Sequence, residues 1–136
     1  MKSEELKQRT KLFAIRNIKL IAALPKSKIS EVLGKQLLRS ATAVGANYRA
    51  ACRARSGAEF ISKIAIVEEE ADESMYWLEL ISDCELIKPQ YLDKLISEAN
   101  ELTAIFTSSR KTARINLKGN QKKSAISNNN VKYDQA

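Results

Sequence analysis

Residues Leu37 to Lys63 read LLRSATAVGANYRAACRARSGAEFISK, and this stretch decides the fold. Ser56-Gly57-Ala58-Glu59 is an S-x-x-E box set directly before the apolar run Phe60, Ile61, Ile64. That pattern starts a helix, because the serine hydroxyl accepts from the Glu59 amide while the glutamate reaches back to the Ser56 amide. On the N-terminal side, Leu33, Leu37, Ser40, Val44, Tyr48, Ala51 and Cys52 share one arc of a helical wheel;. Two helices therefore meet here across a short break.

Working outward gives two more. Leu6, Phe13, Ile18, Leu20, Ile21 and Leu24 make residues 3–24 an amphipathic helix that ends at Pro25;. Ser27 is placed to cap the second helix, which runs to Arg53;. The third continues to about Glu85, with Phe60, Ile64, Val67, Ala71, Met75, Leu78 and Ile81 three and four residues apart;. Pro89 suits the first position of a fourth helix, whose apolar face from Leu92 to Phe106 carries it to about Arg114;. Four glycines and two prolines in 136 residues are too few for a fold built on many tight turns;. The expectation is an all-α, antiparallel up-and-down four-helix bundle over residues 1–116. Residues 117–136, rich in Asn, Ser and Lys and without a sustained period, are expected to form a flexible, disordered basic tail;.

Composition excludes several chemistries. The chain has no histidine, so the commonest general base and metal ligand is missing, and no Glu-x-x-His pair exists to build a di-iron bundle;. Cys52 and Cys84 lie 32 positions apart without a C-x-x-C pattern, and two buried, reduced cysteines are expected;. The acidic run Glu68-Glu69-Glu70-Ala71-Asp72-Glu73 points its carboxylates around most of a helix, as a solvated or salt-bridged face does;. No catalytic residue, metal or cofactor is assigned. The N-terminus is polar and no apolar run reaches the roughly 20 residues of a membrane span, so a cytoplasmic protein is expected;.

Charge is the informative quantity. The net value is +7, but residues 28–55 carry +5 and residues 59–85 carry −8. On the second helix Lys35, Arg39, Arg49 and Arg53 fall within an arc of about 80°, away from the apolar stripe;. With Arg55 they are the candidate nucleic-acid-binding residues, since arginine offers paired donors to phosphate oxygens. One competing reading is a solvated face paired to acids of the third helix; another pairs the stripe with acids of a partner protein or of a neighbouring subunit, which makes the chain a protein–protein adaptor or scaffold. Ala41, Gly45, Ala46 and Ala50 let another backbone approach closely, either inside the bundle or at an oligomer interface;.

These residues also resemble a family. Arg39, Val44, Ala46, Asn47, Ser56, Glu59 and Phe60, followed by Glu70-Ala71-Asp72-Glu73-Ser74 and Trp77-Leu78-Glu79-Leu80, resemble the four-helix proteins named after the 23S ribosomal RNA intervening sequence. The resemblance spans about residues 7–110 and implies a small bacterial bundle protein with no assigned activity. The accessory variability protein of diversity-generating retroelements resembles that family in fold. It implies a homopentamer with a basic surface, and nucleic acid and a reverse transcriptase as partners. The segment RAACRARSG departs from the common motif by being more basic, which either shifts the surface toward anions or marks a different subunit contact.

Overall fold

The computed structural model describes the backbone of residues 1–134 and the side chains of residues 1–127. Helix α1 spans Ser3–Ala22, α2 Lys28–Cys52, α3 Gly57–Asp83 and α4 Asp93–Asp134, and Pro89–Tyr91 forms a single 3₁₀ turn. Short connections make successive helices antiparallel. The α2–α3 and α3–α4 seams are broad, α1 packs on α2, and a narrower strip of α1 closes on α4.

Local chemistry explains the boundaries. The hydroxyls of Ser27 and Ser56 accept from the amides of Ser30 and Glu59, each at 3.1 Å, and cap α2 and α3. The Glu59 carboxylate returns one residue further than the box predicts and accepts from the Arg55 amide at 3.1 Å. Glu85 sits at φ 55, in the left-handed region, and closes α3 while the Leu86 amide donates to the Ile81 carbonyl;. Pro89 opens the 3₁₀ turn rather than α4 itself, which begins four residues later at Asp93.

The core gathers Phe13, Leu37, Val44, Ile64, Val67, Leu78, Ile81, Leu92, Leu102 and Phe106, all fully buried, with the Tyr48 and Phe106 rings 5.3 Å apart. On α1 the buried stripe is Leu6, Thr10, Phe13 and Asn17, and Ile18 is 46% exposed, against expectation. Two polar residues occupy core positions because their hydrogens go back to their own helix. Thr10 donates to the Leu6 carbonyl and Asn17 to the Phe13 carbonyl, both at 2.8 Å;.

The cysteines also differ from expectation. Cys52 and Cys84 are both free and exposed, because one is the last residue of α2 and the other lies just past α3. Helix α4 runs past Arg114 and past residue 116 without a break. Apolar periodicity stops near Arg114, but no proline follows Pro89 to break the backbone ladder;. Of the expected tail 117–136, residues 135 and 136 and the side chains from 128 onward lie outside the described residues. Among the described residues, no helix is long and apolar enough to cross a membrane.

Candidate nucleic-acid interface

Three of the four seams between neighbouring helices carry an arginine–glutamate bridge. Arg9 of α1 forks onto Glu98 of α4, with Nε to Oε2 at 2.9 Å, and also reaches Glu101. Arg39 of α2 meets Glu70 and Glu73 of α3. Arg110 of α4 meets Glu68 of α3, whose carboxyl also accepts from the Thr107 hydroxyl. The hydrogen bond to Glu98 raises the Arg9 pKa above its ordinary value, and the Arg110 hydrogen bond holds Glu68 below the usual carboxylate range;.

The α1–α2 seam is built differently. Gly45 lets Thr10 come so near that a Cβ there would lie 3.3 Å from its hydroxyl oxygen and 3.5 Å from its backbone carbon. Ala14, Thr42 and Ala46 keep the outside of the same seam low, and an open cleft of about 500 Å³ runs along it. Lys7 and Lys11 of α1 line one wall, Arg49 and Arg53 of α2 the other. Glu4 is the one carboxylate in the lining and lies 3.8 Å from Lys7. Among the described residues, Lys11, Arg49 and Arg53 have no carboxylate within ion-pair distance.

The cationic arc read from the sequence is thus divided by its neighbours. Arg49 and Arg53 share the cleft. Arg39 lies on the other flank of α2, against the acids of α3. Lys35 stands 14 residues before Arg49, about 21 Å along the helix, beside a second and more apolar groove with Ile21, Leu24 and Leu38;. Arg55 is exposed past the end of α2.

The small residues divide likewise. Ala41 is fully buried inside the bundle, which corrects its assignment to an oligomer interface, and Gly45 is taken up by Thr10 of the same chain. Ala46 is exposed in the cleft and Ala50 is half-buried. Lys7 and Lys11 were not singled out in the sequence. Their signal was the spacing of Lys7, Lys11 and Ala14, which places two cations and a small residue on one side of α1;.

The match to the 23S rRNA-intervening sequence protein family covers residues 2–108. The chain belongs to this family. A crystal structure from Bacteroides thetaiotaomicron, described as a protein of unknown function from the S23 ribosomal protein family, is 36% identical. It superposes with a TM-score of 0.75 over 82% of this chain and 99% of its own. No curated protein matches the chain. The likeness to the solved structure covers most of the chain, and α4 beyond residue 108 lies outside the family match.

Proposed function

We propose that this family member is a non-enzymatic nucleic-acid-binding protein that holds structured RNA by its phosphate backbone in the α1–α2 cleft. The observation that carries the reading is the contrast between seams. Arg9, Arg39 and Arg110 are each matched to glutamates across a seam, whereas Lys11, Arg49 and Arg53 line a cleft without such partners. Cations gathered without counter-charges repel one another, so the cleft gains most from a ligand that brings its own negative charges. Lys7 completes the set. The low floor of Ala14, Thr42 and Ala46 leaves room for a sugar–phosphate strand between the walls.

Self-assembly fits the same molecule. Leu12, Ile15 and Ile18 on α1 and Ile29, Val32 and Leu38 on α2 are exposed, and burying them between copies supports the homopentamer that the resemblance implies. Such a ring presents several clefts to one RNA, as an accessory to a nucleic-acid enzyme such as a reverse transcriptase requires.

Purified protein titrated with structured RNA should show a steep log–log salt slope between about 50 and 200 mM salt, of which four phosphate contacts in one cleft contribute about −3. The double change Arg49→Glu and Arg53→Glu should weaken binding at least tenfold (an order-of-magnitude expectation). Undiminished binding would remove the cleft from consideration. Light scattering on the same sample should give five times the 15.2 kDa chain mass. If the double change dissolves the assembly while RNA binding by the unaltered protein is absent, the cleft is a protein contact instead.

A further inference from the structure

Helix α4 continues well beyond the last turn that touches the bundle. Leu117 still lies beside Gly57, but every side chain from Lys118 to Ser127 is exposed. Between Glu101 and Asp134 the sequence holds seven cations and no acid. Arg110 is paired with Glu68. At 100° per residue, Lys111, Arg114, Lys118 and Lys122 fall within an arc of about 80° and form a strip about 16 Å long. Among the described residues none of these four has a carboxylate within ion-pair distance.

This strip does nothing for the helix that carries it. Arg114 and Lys118, and Lys118 and Lys122, are like charges four residues apart, an arrangement that weakens a helix. The two seam bridges to α4 engage Arg9 and Arg110 and none of these four cations. We infer that this face of α4 is a second anion-binding surface, an arm that lies along the phosphate backbone of double-stranded RNA outside the α1–α2 cleft.

The residue types select that partner. No aromatic residue stands between Phe106 and Tyr133, so the arm has nothing on which unpaired bases could stack;. A lipid surface needs a continuous apolar face, and between Lys111 and Ser127 the exposed large apolar side chains are Ile115 and Ile126, 11 residues apart;. What remains is a row of flexible cations that reads charge density. A duplex carries about one phosphate charge per 1.7 Å of axis with both strands counted, so the length of a 16 Å strip spans roughly nine, of which the strip faces those on one side. The contact is independent of sequence, and it does not depend on the cleft reading.

The test uses the full chain and the triple change Arg114→Gln, Lys118→Gln and Lys122→Gln. Lys111 is kept because it also acts on the Glu68 carboxylate. Affinity is measured across a salt series for an RNA duplex of about 20 base pairs and for a single strand of equal length. The triple change should reduce the steepness of the duplex salt slope by about 2 to 3, with an unchanged thermal midpoint and a smaller effect on the single strand. No change in slope, or no duplex binding by the full chain, overturns the inference. So does an equal loss on both RNAs. Loss of binding to phosphatidylserine vesicles with duplex binding intact also overturns it, in favour of a lipid surface. The Arg49→Glu, Arg53→Glu protein in the same series separates the two sites, because an effect of one variant without the other leaves one reading standing and removes the other.

Discussion

Glu68 and Glu70 stand two residues apart on α3, and their carboxyls are shifted in opposite directions. For Glu68 the Arg110 hydrogen bond outweighs burial and lowers the pKa. For Glu70 burial is the largest influence and raises it, although Arg39 pulls the other way. The signs of their stability contributions differ accordingly. Glu68, depressed in the folded state, stabilises the bundle above the ordinary carboxylate value of 4.5, and that contribution is lost as pH falls through the lower folded value. Glu70, raised in the folded state, costs stability at neutral pH and costs less as pH falls through its folded value. Urea melts across the acid range should therefore show Glu68→Gln destabilised at pH 7 with a shallower acid loss. Glu70→Gln should be at least as stable as the parent at pH 7. Equal effects from the two changes would contradict this division of roles.

The elements were the most legible part of the sequence, because their ends are written in local chemistry. Pro25, the Ser27 cap and the Ser56–Glu59 box each act within a few residues, so no knowledge of neighbours was needed;. The α1 stripe was harder to read. Hydrophobicity favoured Ile18, whereas the packing took Thr10 and Asn17, whose side-chain donors reach carbonyls one turn back;. Gly45 shows the same dependence on neighbours, since its value lies in Thr10 of another helix. Gly45→Ala should be nearly neutral, the helix-propensity gain of about 1 kcal/mol being offset by the 3.3 Å approach to a hydroxyl already bonded to Leu6;. Gly45→Leu should cost about 1 to 3 kcal/mol by forcing α1 from α2, measured by urea denaturation. A neutral leucine variant would mean that the two helices are not held at this distance by the glycine.

At the scale of the whole molecule, what escaped the sequence is which helix each cation faces. Arg39 and Arg53 are only 40° apart on the wheel, yet α3 lies to one side of α2 and α1 to the other;. That partition depends on four helices closing together and cannot be read from α2 alone. It also leaves α1 held unevenly. Helix α1 has a bridge to α4 but none to α2 among the described residues, and buries Asn17 with its side-chain oxygen unpartnered. Local opening takes the path of fewest buried contacts, so α1 should swing away before α2, α3 and α4 separate. Native-state hydrogen exchange should find the α1 amides least protected among the core helices, and protection of α1 equal to that of α3 would contradict this. The cleft is then a clasp with one movable jaw. A strand of RNA gripped by both jaws would slow α1 exchange far more than α3 exchange, so the isotope pattern alone would show where the strand sits.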